Sequence, residues 1–186
     1  MSCAVALTLV LLLAGVPPAA AQDDGETVDA DPGRQLAERF APIVMLKAQD
    51  DECDADGEPY GPASVDIVLD NPAVALRQLG PGDPVVRWGP RAADLHGLGE
   101  GFYLDFPGGA LEPGCLYERD FRRFTADHPP TVYAHIVQDD EHPGELALQY
   151  WIYWYYNDWN NKHESDWEMI QLRFEASSVE DALSSE

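Results

Sequence analysis

Tyr150–Glu175 reads YWIYWYYNDWNNKHESDWEMIQLRFE, an aromatic run, a polar loop and an alternating segment in succession. Before the loop, Leu148, Tyr150, Ile152, Trp154 and Tyr156 share one parity, and Trp151, Tyr153 and Tyr155 share the other. Successive side chains of a strand face opposite sides. Such a strand is therefore covered on both faces, as in the middle of a sandwich, or shows one aromatic face to a partner. After the loop, Asp166, Glu168, Ile170, Leu172 and Phe174 fall on one face and Trp167, Met169, Gln171, Arg173 and Glu175 on the other. The stretch predicts strand, loop, strand.

Working outward, proline and glycine recur from Pro59 to Pro90 and exclude helices of useful length across most of that region. Short runs rich in β-branched and aromatic residues stand between the breaks and beyond them: Val85–Trp88, Phe102–Phe106 and Thr131–Gln138. The apolar run Pro42–Leu46 is a further strand candidate. Arg34–Phe40 predicts a short helix, and Ala176–Ser185 another, with Ser177 or Ser178 as its cap. Many short strands with Gly and Pro turns predict a mainly β, all-β class protein, an antiparallel β-sandwich.

The run Cys3–Val16 is almost wholly apolar, is broken by Pro17 and Pro18, and is followed by three alanines before Gln22. That pattern predicts a secretory signal peptide over residues 1–21 and an extracellular protein. The run is too short for the roughly 20 residues that cross a bilayer. Residues 22–32 form an acidic lead-in without a large hydrophobe, expected to be disordered, and a single domain is expected over residues 33–186. In an oxidising compartment Cys53 and Cys115, the two cysteines beyond the leader, are expected to pair. The formal net charge of −23 argues against nucleic acid, because phosphate is repelled and the basic residues form no stripe. Anionic lipid is repelled too unless a divalent cation bridges the two surfaces.

The junction of the two strands carries the chemistry. Asp166 and Glu168 lead an apolar face; neighbours two apart on a strand lie about 7 Å apart, and oxygen ligands reach a hard cation at about 2.3 Å. His163 in the preceding turn offers an imidazole nitrogen, and Asp158 or Asn160 is placed to complete a shell. Carboxylates with one imidazole suit Ca²⁺, Mg²⁺ or Mn²⁺ better than structural zinc. The same residues also read as an acid and base pair with His163 as shuttle, or as side chains that only tie the loop to backbone N–H groups. Trp154, Tyr156 and Trp159 are the nearby aromatics expected to face a ligand. Upstream, Glu52, Asp54, Asp56 and Gly57 imitate a calcium loop, but Ala63 stands where the closing glutamate belongs, so a solvated acidic loop is expected.

Phe40-Ala41-Pro42-Ile43-Val44, followed by Glu58-Pro59-Tyr60-Gly61-Pro62-Ala63-Ser64-Val65, resembles the opening of the vacuolar protein sorting-associated protein 62 family, with its apolar strand and its tyrosine and serine segment. Leu148-Gln149-Tyr150-Trp151 leading to His163-Glu164-Ser165-Asp166-Trp167-Glu168 resembles the later part of that family. The H-x-x-D-W-E core is also similar to the heptapeptide of the necrosis- and ethylene-inducing-like proteins, secreted cytolysins with a β-sandwich fold. That resemblance implies His163, Asp166 and Glu168 as ligands of a divalent cation, with Asp158 the nearest counterpart of a further aspartate. The cytolysins have a basic, His-rich heptapeptide where this chain has Lys162-His163-Glu164-Ser165, so membrane damage is not implied. Both families continue with further strands beyond this point. The resemblance therefore implies either a sandwich incomplete at the C-terminus or one completed by a partner or a second copy.

The expected function is that of a non-catalytic module binding a glycan or lipid head group through the ion and the aromatics beside it. The alternative is a metal-dependent hydrolase in which Glu168 or His163 moves the proton of an activated water.

Overall fold

The computed structural model describes residues 31–54, 57–138 and 140–185. The leader over residues 1–21 and the lead-in from 22 to 30 lie outside the described residues. Helix α1, Pro32–Arg39, begins one residue before the expected domain start: Asp31 caps it by accepting the Gly33 N–H at 3.0 Å, and Pro32 occupies the first turn, where no N–H is needed.

Two antiparallel three-stranded sheets follow, and neither closes into a barrel. In the first, β1 (Ala75–Gln78) lies between β2 (Val85–Trp88) and β3 (Phe102–Asp105). In the second, β5 (Leu146–Asn157) lies between β4 (Val132–Gln138) and β6 (His163–Phe174). Helix α2 spans Ala92–Leu95, α3 spans Leu116–Phe124 and α4 spans Val179–Ser184. The expected cap of α4 is present, with Ser178 accepting the Asp181 N–H at 3.1 Å. The mainly β, two-sheet expectation is met. Between Pro59 and Pro90 the helical structure amounts to the 3-10 turn Val65–Ile67.

The central strand β5 is covered on both faces, each over a different part of its length. Leu146, Leu148 and Tyr150 face Leu36 of α1 and Ala182 of α4 in one core. Tyr153, Tyr155 and Tyr156 enter a second core with Tyr60, Val74, Phe106, Tyr117 and Phe121, which joins both sheets to α3. Phe106 stacks on Tyr155 at 4.6 Å between ring centroids. The aromatic run has large residues at both parities because each half of the strand serves a different core.

One sequence expectation needs correction, and β1 and α3 lack a sequence expectation. Pro42–Leu46 is not a strand: no strand lies beside it among the described residues, and Ile43 and Met45 are 90% and 85% exposed. Strand β1 was hidden among the breakers around it, being only four residues long. Helix α3 was also missed, although Tyr117, Phe121 and Phe124 repeat at helical spacing with no Gly or Pro between them.

Cys53 and Cys115 are bonded, with Cα atoms 5.4 Å apart across a sequence separation of 62. The bond ties the acidic loop to the N-terminus of α3. Buried Glu118 of α3 strengthens the attachment, accepting the Cys53 N–H at 2.9 Å, the Gln49 amide at 3.1 Å and the Arg122 guanidinium at 2.5 Å.

Candidate functional site

The hairpin between β5 and β6 is organised by its own polar residues. Asn157 accepts the Trp159 N–H at 2.9 Å, and the Lys162 N–H bonds to the Trp159 carbonyl at 3.1 Å. Asp158 is engaged by the Lys162 ammonium at 2.8 Å. It is thereby drawn into a surface ion pair rather than toward His163.

At the start of β6, His163 and Asp166 come together, Nε2 to Oδ1 at 3.7 Å, with side chains 38% and 29% exposed. The other oxygen of Asp166 accepts the Asn157 amide at 3.0 Å, and Oδ1 accepts the Trp167 N–H at 2.9 Å. His163 Nδ1 lies 3.3 Å from the Asn161 carbonyl. When Nδ1 donates there, Nε2 presents a lone pair toward the Asp166 carboxylate, the arrangement a metal-binding imidazole requires. A separation of 3.7 Å is too long for a hydrogen bond. It suits two donors that share an ion about 2.0–2.4 Å from each.

Glu168 lies on the same strand face as Asp166, opposite Ile152, and accepts the Trp154 indole N–H at 3.2 Å. Among the described residues, the one group of three His, Cys, Asp or Glu side chains with donor atoms within 4.8 Å of one another is Glu52, Cys53 and Glu118. So His163, Asp166 and Glu168 do not converge that closely, and Glu168 holds the Trp154 indole through one of its two carboxylate oxygens. The other trio is a poor metal site. Its sulfur is in the disulfide and its buried carboxylate already faces Arg122, so it lacks both thiolate and free charge.

Of the aromatics expected to face a ligand, Trp159 is 73% exposed in the loop and Trp154 is half-buried against Glu168. Tyr156 is instead a core side chain, 3% exposed, with its hydroxyl donating to the Ala110 carbonyl. Its contacts come from distant segments, which no local pattern reveals.

Sequence reading also passed over Glu164 and Ser165. Glu164 accepts a hydrogen bond from the Tyr117 hydroxyl, and burial pushes its carboxyl above the usual range, against the lowering effect of that bond and of the Phe106 N–H. Burial, reinforced by Glu164, raises Tyr117 in turn. Ser165 has φ 59°, an uncommon conformation for a residue other than glycine, and its hydroxyl lies 2.7 Å from that of Tyr153. The ladder passes from Trp154 opposite Asp166 to Tyr156 opposite Glu164, with this residue between. The left-handed residue thus sits between a carboxylate at the rim and a carboxyl against the core.

Compared with known proteins, the chain matches no family model, no curated protein and no solved structure.

Proposed function

We propose that this protein is an exported, non-catalytic module that recognises a glycan or lipid head group through a divalent cation held at His163 and Asp166. The observation that carries this reading is the 3.7 Å approach of His163 Nε2 to Asp166 Oδ1, with both acceptor atoms oriented by neighbouring groups. Glu168 completes the protein's share of the ligands on turning toward the ion, and the oxygen-rich set favours Ca²⁺, Mg²⁺ or Mn²⁺. The exposed Trp159 ring is available for apolar contact with a ligand. A cation also lets so acidic a chain approach an anionic head group.

The openness of the rim supports binding over hydrolysis, since a hydrolytic site gains from excluding water. Export rests on the apolar leader and accords with the Cys53–Cys115 disulfide. No described helix is long and apolar enough to cross a membrane. The likeness of the H-x-x-D-W-E core to the cytolysin heptapeptide accords with the same ligands. Glycan and lipid arrays probed with Ca²⁺, Mg²⁺ or Mn²⁺, and again with chelator, test the reading. Retention of some intact ligand that is lost with chelator and in Asp166→Ala is expected; turnover of that ligand would favour the hydrolase, and the absence of any ligand whose binding requires the metal would overturn the proposal.

A further inference from the structure

The second sheet has another face, and its chemistry differs from that of the rest of the chain. Register places Tyr133 opposite Trp151 and Trp151 opposite Met169, His135 opposite Gln149 and Gln149 opposite Gln171, and Tyr153 opposite Trp167. Directly opposed residues point to the same side of a sheet. Away from the left-handed Ser165, the odd-numbered residues from Tyr133 to Val137, Ala147 to Tyr153 and Trp167 to Arg173 therefore share one face, opposite to that of Asp166 and Glu168. Among these strand residues there is no Asp or Glu, although the chain holds 34 acidic residues against 11 basic ones. Trp151, Trp167 and Met169 remain 36%, 45% and 44% exposed there.

Aromatic and polar side chains lie in adjoining rows. Trp167 packs at 5.6 Å from Tyr133, 6.5 Å from Trp151 and 5.2 Å from Tyr153, with the rings inclined rather than coplanar. Beside them Gln149 Oε1 accepts the Trp151 indole N–H at 3.3 Å and lies 3.4 Å from His135 Nδ1, and Gln149 Nε2 donates to Gln171 Oε1 at 2.9 Å. The exposed Gln171 amide ends this row. A groove of about 650 Å³ continues the face, lined by Val137, Gln149, Gln171 and Arg173 and also by Asp140, His142 and Glu145. Glu145 is neutralised there by Arg173.

We propose that this face is a binding surface for a neutral glycan chain, independent of the cation at His163. Ring faces take the C–H side of a sugar, and an oriented row of amides and an imidazole takes its hydroxyls. The net charge of −23 repels an acidic polysaccharide, and a face whose strand residues include no carboxylate offers a cationic one no counter-charge; a neutral chain meets neither obstacle. A second copy of the chain would bring two strongly acidic molecules together. The inclined rings suit a single chain that crosses them and runs on into the groove more than a flat crystalline surface.

The test is tryptophan fluorescence titration of the full chain with neutral β-linked gluco-, xylo- and manno-oligosaccharides, in chelator so that the cation site does not contribute. Saturable binding is expected, weakened at least tenfold in Trp151→Ala and several-fold in Gln171→Ala, and unchanged in Asp166→Ala. Gln171 is exposed, so its variant keeps the result readable should Trp151→Ala perturb the sheet. No binding to any of the three series, or binding unaltered in both variants, overturns the proposal. Concentration-dependent dimerisation in sedimentation, abolished by Trp151→Ala, would assign the face to a second copy and also overturn it. Loss of glycan binding in chelator leaves the cation reading untouched, because that reading is scored by binding that requires the metal.

Discussion

Replacing both Cys53 and Cys115 by serine should remove a large part of the stability of the fold, chiefly through the denatured state. The bond closes a loop of 62 residues. Loop-closure entropy for that length is about 14 cal/mol/K, or about 4 kcal/mol at 25 °C. In the folded state the loop stays attached by Glu118, which still accepts the residue-53 N–H, and by Glu52 near Arg119 and Arg122 at 3.7 and 3.8 Å. Those contacts survive the substitution, so the native state loses little. The denatured chain, freed from its crosslink, expands and exposes more surface, which raises the denaturant dependence. Urea unfolding followed by tryptophan fluorescence should show stability about 3 to 4 kcal/mol lower and a midpoint about 2 M lower, with a steeper slope. For a domain of ordinary stability, about 5–15 kcal/mol, this is a large fraction of the total. A midpoint shifted by less than about 0.5 M, with an unchanged slope, would refute the reasoning.

Leu148, fully buried between the sheet and α1 and α4, should cost about 3 kcal/mol on truncation in Leu148→Ala, read by the same urea curves, whereas Trp159→Ala should change stability by less than about 0.5 kcal/mol. Ser165→Gly should be near neutral, because relief of the left-handed backbone, about 1 kcal/mol, offsets loss of the hydroxyl contact with Tyr153. Ser165→Ala keeps the strain, strands that buried hydroxyl and should cost about 1–3 kcal/mol; equal effects of the two variants in thermal unfolding would contradict this. Glu164, whose carboxyl is raised by burial, binds its proton more tightly folded than unfolded. Its contribution is therefore full below the ordinary carboxylate value of about 4.3 and is lost as pH rises through the folded value. In chelator, the stability of the wild type relative to Glu164→Gln should fall over that range, and a difference constant with pH would contradict the assignment.

Much of the second sheet was legible from Tyr150–Glu175, because the alternation of its side chains is local and long. Strand β6 announced itself through parity, β2, β3 and β4 through runs rich in β-branched and aromatic residues, and the cap of α4 through a serine at the right offset. What escaped depended on distant chain. Tyr156 has the parity of a sheet-face aromatic, yet α3 and the segment around Ala110 cover it, and nothing near position 156 signals that cover. Ile43 and Met45 are as apolar as any strand residue, but a strand needs a neighbour, and sequence pattern does not supply one. At the site, spacing pointed to His163 and Asp166, a local matter of three residues, but His163 stands in β6 rather than in the preceding turn, and the left-handed Ser165 lies between it and Asp166. The departure of Asp158 toward Lys162, and of Glu168 toward Trp154, follows from partners of comparable attraction that spacing does not rank. The acid-free face required the register, because opposition between β4, β5 and β6 is what gathers Tyr133, Trp151, Met169 and Trp167.

Calorimetric titration of the protein with Ca²⁺, Mg²⁺ and Mn²⁺ tests the cation reading most directly. One ion per chain is expected for at least one of the three, with affinity lowered at least tenfold, about 1.4 kcal/mol, in His163→Ala and in Asp166→Ala. No heat of binding with any of them, or an isotherm unchanged when Asp166→Ala is combined with Glu168→Ala, would contradict it.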